Sequence, residues 1–140
     1  MKRPAAVPDL ARGRLLRGAI MPAEDLLLEP EDIARLAAEV ASEKQAIDVV
    51  LLDVRGSCSF ADYFLVCTGD SERQLNAIWE AILDALKARG VRALHKEGVG
   101  SGWLLADYGA VVVHVLAPFE REYYQLESLW ADAVPVLRMQ

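Results

Sequence analysis

The sequence predicts an α/β sandwich in which helices pack against a mixed β-sheet. Three observations favour this class. Two segments repeat apolar residues at helical spacing, several short apolar runs lie between and after them, and the run Val111–Leu116 has four valines with almost no alternation. A strand that is apolar on both faces is typically a central strand covered by helices. The predicted order is α-β-β-α-β-β-β-α, and a 140-residue chain with 54% hydrophobic residues fits one domain.

The first elements follow from a helix start and two apolar runs. Pro30, with Glu31 and Asp32 beside it, favours a first helical turn and predicts a helix from Pro30 to about Gln45. Its apolar positions at helical spacing are Ile33, Leu36, Ala37, Val40 and Ala41. The runs 48–54 and 62–68 are predicted buried strands, separated by a turn at 55–59.

The second helix has the clearest local signals in the chain. Ser71 and Gln74 form a predicted capping box, and Arg89 with Gly90 predicts the helix end, so the helix spans about 72–89. Its apolar positions are Leu75, Ile78, Trp79, Ile82 and Leu86. The amides near 69–71 could bind an anion, although capping alone explains these residues. A short strand at 91–95 and a glycine-rich connector at 96–102 are predicted next.

A hairpin is predicted from Trp103 to Leu116. Its arms are 103–106 and 111–116, and Gly109 can supply the positive φ that the turn needs. On chemistry alone, Trp103 packs, Asp107 turns the chain and His114 is a hydrogen-bonded core histidine.

The last predicted element is a helix from Phe119 to about Val134. Its apolar stripe at helical spacing consists of Phe119, Tyr123, Leu126 and Trp130. Tyr124 and Glu127 lie beside the stripe, which makes it wide for a terminal helix. Packing on the sheet accounts for most of the stripe, and the excess aromatic width is typical of a surface that contacts a partner.

Charge divides the chain into an arm and a domain. Residues 1–26 are predicted to be a disordered basic arm, and residues 27–140 a single domain. Because the whole chain carries −6 and residues 1–20 carry +4, the other 120 residues carry −10. An acidic domain is not drawn to nucleic acid by its average field, so direct nucleic-acid binding is not required. No apolar run is as long as the ~20 residues of a membrane span.

Few residues suit catalysis or metal binding. Cys58 and Cys67 form no CxxC pair, and only two histidines are present, so zinc signatures are absent and a reduced cytoplasmic setting is expected. A thiol triad of Cys67, His114 and Asp107 is conceivable, but a thiol inside an apolar strand favours an inert core residue. We expect no cofactor and no metal.

A second enzymatic possibility is a metal-dependent nucleotidyltransferase. It would use Ser57 with Asp53 and Asp62 beside a glycine–serine turn. Such enzymes hold metal with an Asp-x-Asp pair at a strand edge, and this pair is lacking.

Three blocks of the sequence resemble the ribosomal silencing factor family, also called Iojap. The block 48–68 contains Leu-Asp-Val-Arg-Gly and Ala-Asp-Tyr-Phe-Leu-Val-Cys-Thr. The block 103–115 contains Trp-x-x-x-Asp-Tyr-Gly and Val-x-Val-His-Val. The block 121–130 contains Arg-x-Tyr-Tyr-x-Leu-Glu-x-Leu-Trp. The resemblance covers roughly 27–133 and leaves out the basic arm.

The resemblance implies a regulatory protein rather than an enzyme. Family members have a nucleotidyltransferase-like α/β fold without the catalytic acids and form homodimers when free. They bind the large ribosomal subunit through its fourteenth protein, block association with the small subunit and repress translation. The partner-binding residues that the resemblance implies are Trp103, Asp107, Tyr124, Leu126 and Glu127. The family usually has Asp where this chain has Ala110, so this chain lacks that charge beside the hairpin.

Two further interpretations stay open at this point. A large-subunit assembly factor would bind the same surface at a different time, and the nucleotidyltransferase remains the enzymatic alternative. We also expect Trp103, Asp107, Tyr124 and Glu127 to form one patch, with the Tyr124 ring largely exposed.

Overall fold

The computed structural model describes residues 28–129 and 133–139. Within them the helices are α1 (Pro30–Glu43), α2 (Glu72–Ala88), α3 (Pro118–Tyr124) and α4 (Leu126–Leu129). The strands are β1 (Ile47–Asp53), β2 (Tyr63–Thr68), β3 (His95–Glu97), β4 (Trp103–Asp107), β5 (Val111–Leu116) and β6 (Val134–Met139). The predicted arm 1–26 and Trp130 lie outside the described residues.

The strands form one six-stranded sheet in the order β3-β4-β5-β2-β1-β6. Strands β2 and β5 pair in parallel, and the other neighbours pair antiparallel. Every residue of β2 and β5 is buried, as expected for apolar runs at the centre of a sheet. The predicted α/β fold with a mixed sheet and the predicted hairpin are therefore confirmed.

The two faces of the sheet are covered differently. Helices α1 and α2 cover one face, where four alanines of α1 are fully buried: Ala34, Ala37, Ala38 and Ala41. Small side chains let the helix axis lie close to the strands. The opposite face supports a second core, which the loop 54–61 and the region of Tyr124 and Leu126 cover. Its strand residues are Val50, Leu52, Phe64, Val66, Trp103, Leu105, Val112 and Leu116.

The capping signals at both ends of α2 were predicted correctly, and its C-terminal cap explains why the strand predicted after it is wrong. The Ser71 hydroxyl accepts a hydrogen bond from the Gln74 amide at 3.0 Å, which confirms the predicted N-cap. At the other end Gly90 has φ 85°, and the Val91 amide donates to the Leu86 carbonyl. Val91 thus completes a Schellman motif, so the predicted strand 91–95 is wrong and β3 begins at His95.

The predicted final helix from Phe119 to Val134 is wrong. Helix α3 ends at Tyr124 because Gln125 adopts a left-handed conformation with φ 47°. The turn directs Leu126 into the second core, where it is 3% exposed, and its stripe with Phe119 and Tyr123 is broken. The end of the chain forms β6, which pairs with β1 at an edge of the sheet.

Among residues 28–129 and 133–139, no helix has both the length and the apolar character that crossing a bilayer requires.

Candidate partner-binding surface

An array of aromatic rings lies where the end of α3 meets the start of β4. The Tyr124 ring packs against the Trp103 indole, with centroids 4.7 Å apart and planes tilted by 53°. Tyr123 meets Tyr124 edge-on at 5.2 Å, and Phe119 stacks on Tyr123 at 5.8 Å. Phe119 is 56% exposed, while Tyr123 and Tyr124 are partly buried. We call Phe119, Tyr123 and Tyr124, with Trp103 beneath them, the aromatic surface.

Trp103 forms the floor of this surface. It is 4% exposed and belongs to the second core, so the expectation from chemistry alone, that it packs, is confirmed. Its indole Nε1 donates a hydrogen bond to Nδ1 of His114 at 3.1 Å. The expectation that the Tyr124 ring is largely exposed is wrong, because one side of that ring rests on the Trp103 indole.

His114 is a buried, neutral histidine. Because Nδ1 accepts a hydrogen bond from the Trp103 indole N–H, the neutral imidazole of His114 must carry its own proton on Nε2. Burial lowers the pKa of His114 to about 3, since the interior disfavours the imidazolium. The ring also meets Phe64 edge-on at 4.9 Å. The expected hydrogen-bonded core histidine is thus confirmed.

Asp107 lies at the other end of β4 from Trp103. The two side chains share a sheet face, but four residues of strand separate them by about 13 Å along β4. Asp107 is 2% exposed, and its Oδ1 accepts from the Gly109 amide at 2.7 Å. Gly109 has φ 87°, which the turn requires. Asp107 therefore shapes the hairpin turn, and the single compact patch expected for it with Tyr124 does not form.

Leu126 and Glu127 follow the break at Gln125. Leu126 anchors α4 by filling the second core. Glu127 is the next residue of α4, and its side chain lies outside the described part of the structure.

Arg121 fixes the position of α3, and sequence reasoning did not assign it a role. Its guanidinium donates to Thr68 Oγ1 at 2.8 Å, and to the carbonyl and carboxylate of Asp48 at 3.0 and 3.2 Å. Arg138 of β6 binds the other carboxylate oxygen of Asp48 at 2.6 Å. The partners are 53 and 73 residues away in sequence, so no local pattern could have revealed them.

The conceivable thiol triad does not assemble. Cys67 points to the helix-covered face, whereas His114 lies on the opposite face between Phe64 and Trp103. The sheet itself separates the two side chains. Burial also raises the pKa of Cys67 to about 12, which disfavours the reactive thiolate.

The nucleotidyltransferase residues show no metal site. The Asp53 carboxylate binds the backbone and guanidinium of Arg55, which holds the pKa of Asp53 below its usual range. Across residues 28–129 and 133–139, no group of three or more His, Cys, Asp or Glu side chains is placed to hold a metal ion.

An acidic cleft lies at the start of α2, where the sequence left anion binding open beside simple capping. The cleft has a volume of about 400 Å³ and is lined by residues that include Asp70, Glu72 and Glu120. The Asp70 amide already donates to Gln74 Oε1 at 2.9 Å. Three carboxyl groups at one cleft favour a cationic group over an anion.

The fold and the aromatic surface define a small α/β protein with one six-stranded mixed sheet. The chain belongs to the ribosomal silencing factor family: the family model described as "Ribosomal silencing factor during starvation" matches residues 28–140. The match confirms the family that the three sequence blocks indicated.

Known proteins agree with this membership. The chain is 41% identical to "Ribosomal silencing factor RsfS" of Bacillus subtilis over 107 residues, which are 76% of this chain and 91% of that protein. It is 30% identical to "Mitochondrial assembly of ribosomal large subunit protein 1" of Mus musculus, covering 91% of this chain and 63% of that protein. The crystal structure of a protein from Chromobacterium violaceum is similar to this one, with a TM-score of 0.72 and 37% sequence identity. The match covers 74% of this chain and 88% of that chain.

Proposed function

We propose that this protein is a ribosomal silencing factor that binds the large ribosomal subunit and prevents the small subunit from joining it. The observation that carries the proposal is the family match over 28–140, which includes every element of the sheet. Its activity is regulatory and non-enzymatic, and it acts in the cytoplasm. The free protein is a homodimer.

The proposed partner is the fourteenth protein of the large subunit. Residues 21–140 carry −10, because the whole chain is −6 and residues 1–20 are +4. An acidic surface complements a basic ribosomal protein and speeds productive encounters with it. Binding through a protein needs no direct contact with ribosomal RNA.

Tyr124 is the proposed centre of the contact. Its ring is partly buried on Trp103, so little side-chain freedom is lost when a partner covers the rest. Trp103 supports the Tyr124 ring from beneath, and Leu126 holds α4 in place. Glu127 is the proposed carboxylate of the contact, whereas Asp107, which is 2% exposed, contributes by shaping the hairpin turn. The exposed Phe119 extends the apolar area of this surface.

Sedimentation with purified subunits tests the proposal. We expect recovery with free large subunits, exclusion from joined ribosomes, and fewer joined ribosomes when the protein is added first. Equal recovery with large subunits and joined ribosomes would refute the steric mechanism.

A matched pair of variants tests the surface. Tyr124→Ala should weaken binding by about 2 kcal/mol, roughly thirtyfold, if Tyr124 is a hot spot. Val134→Ala is the control, because Val134 is 59% exposed and lies on β6 at the sheet edge away from β4. If both folded variants bind as the unaltered protein does, the contact lies elsewhere.

Large-subunit assembly is the second candidate function. The name of the Mus musculus relative, "Mitochondrial assembly of ribosomal large subunit protein 1", favours it. Depletion in cells separates the two: an assembly factor leaves incomplete large subunits, whereas a silencing factor leaves complete subunits that join too readily under starvation.

We further propose that residues 1–20 are dispensable for folding of the domain at 27–140. The family match begins only at residue 28. A chain that starts at Met21 should melt within a few degrees of the full chain, and a large drop would place the arm among the elements that stabilise the domain.

A further inference from the structure

We propose that His114 is a positioning residue for the aromatic surface. By accepting a hydrogen bond from the Trp103 indole N–H, it fixes the orientation of the ring on which Tyr124 rests. The inference rests on the proposed function, because it explains how the contact around Tyr124 is held. His114 does not touch the partner itself. It acts through Trp103, which it meets at 3.1 Å between Nδ1 and the indole Nε1.

The hydrogen bond determines which way the indole faces. An indole has a single N–H donor, and in the interior that donor must be satisfied. Turning the Trp103 ring over would move Nε1 away from His114 and leave the donor without a partner. The bond therefore selects one ring orientation among those that packing alone would allow, and the Tyr124 ring lies 4.7 Å from the selected one.

His114 is itself rigidly held. It is 3% exposed, its ring meets Phe64 at 4.9 Å, and its centroid lies 5.9 Å from that of Trp103. Strand β5 pairs with β2 on one side and β4 on the other, so its backbone is held by hydrogen bonds at both edges. Five rings consequently form one continuous array from the interior to the surface: Phe64, His114, Trp103, Tyr124 and Tyr123.

The position is a costly one for a polar residue. Within the described residues His114 Nε2 is buried and has no hydrogen-bond partner. Such a group destabilises the folded state, and an apolar side chain would avoid this cost. Packing alone therefore does not account for a histidine here. The hydrogen-bond acceptor that His114 offers to Trp103 accounts for a histidine at this position.

Two nearly isosteric substitutions separate the acceptor from the packing. His114→Asn keeps an acceptor, since its Oδ1 can take the place of Nδ1, whereas His114→Leu has a similar branched shape and no acceptor. Trp103→Phe removes the donor and completes a double-mutant cycle with His114→Leu. Each variant is studied below its melting temperature, so that only folded protein is compared.

The first readout needs no ribosome. In a nitrogen–proton correlation spectrum, the indole signal lost in Trp103→Phe identifies Trp103. We expect that signal to move upfield and its exchange with solvent to accelerate in His114→Leu, and to stay near its original position in His114→Asn. The Tyr124 ring signals should shift in His114→Leu as well. An indole signal and Tyr124 ring signals that do not move in His114→Leu would overturn the proposal.

The second readout is binding to large subunits. We expect His114→Leu to weaken binding roughly tenfold and His114→Asn to restore most of it, the range of coupling expected for residues in contact. In the Trp103→Phe background, His114→Leu should have no further effect. A folded His114→Leu that binds as tightly as the unaltered protein would refute the positioning role. If the unaltered protein itself fails to bind, the proposed function is wrong, and the spectra alone still decide whether His114 orients Trp103 and Tyr124.

Discussion

Acid should destabilise this protein through His114. The folded state holds His114 neutral, with its pKa lowered to about 3 from the usual 6.5. Between these two values the unfolded chain binds a proton that the folded chain excludes. Stability therefore rises with pH across this window and is lost as pH falls below about 6.5.

The magnitude follows from the width of the window. Each pH unit inside it changes the free energy of unfolding by about 1.4 kcal/mol. From pH 7 to pH 5, His114 alone should lower that free energy by about 2 kcal/mol. The shift in the pKa of His114 is caused by burial and not by a charged neighbour, so salt does not screen the effect.

Urea unfolding at pH 7 and pH 5 measures this loss, with His114→Leu as the control. Carboxyl groups also titrate as pH falls, but both proteins share them, so the difference between the two losses isolates His114. We expect the unaltered protein to lose about 2 kcal/mol more than the variant. Equal losses in the two proteins would show that His114 is protonated in the folded state, and the buried, neutral ring would be refuted.

Three further predictions concern stability and use the same urea assay. Arg121→Met should cost about 2 to 3 kcal/mol because its guanidinium is largely buried, whereas Arg138→Met should cost about 1 or less because that side chain is 49% exposed. Equal losses of stability in the two variants would contradict the role of Arg121 in fixing the position of α3. Gly98→Ala should be far more damaging than Gly100→Ala: both have positive φ, but a Cβ at Gly98 would overlap the Trp103 carbonyl and one at Gly100 meets nothing within 4 Å. Similar stabilities would show that the loop relaxes freely. Ser71→Ala should cost about 1 kcal/mol by removing the N-cap of α2, and no loss would mean that water replaces the hydroxyl.

Local chemistry was enough to predict much of the fold. Helices α1 and α2 begin and end within two residues of the predicted bounds, because capping residues and apolar spacing act over one or two turns. The hairpin was also predictable, since Gly109 lies between two apolar runs. The central position of β5 followed from a run that is apolar on both faces.

Contacts between distant segments decided what the sequence alone did not show. The stripe after Pro118 has helical spacing, yet Gln125 turns left-handed because this lets Leu126 fill the second core. The last residues then form β6, whose partner strand β1 lies more than eighty residues earlier. Helical spacing describes one segment at a time and gives no information about an open sheet edge elsewhere.

The same distinction between local sequence and distant contacts applies to the candidate surface. The sequence by itself identified the family and the residues Trp103, Asp107 and Tyr124, because they belong to short blocks of specific order. Only the tertiary structure decided that Trp103 lies beneath Tyr124, that Asp107 shapes a turn, and that Arg121 and His114 hold the surface from within. The physical reason is that these roles depend on hydrogen bonds and ring contacts across the sheet, whose geometry is set by strand pairing and core packing rather than by neighbours in the chain.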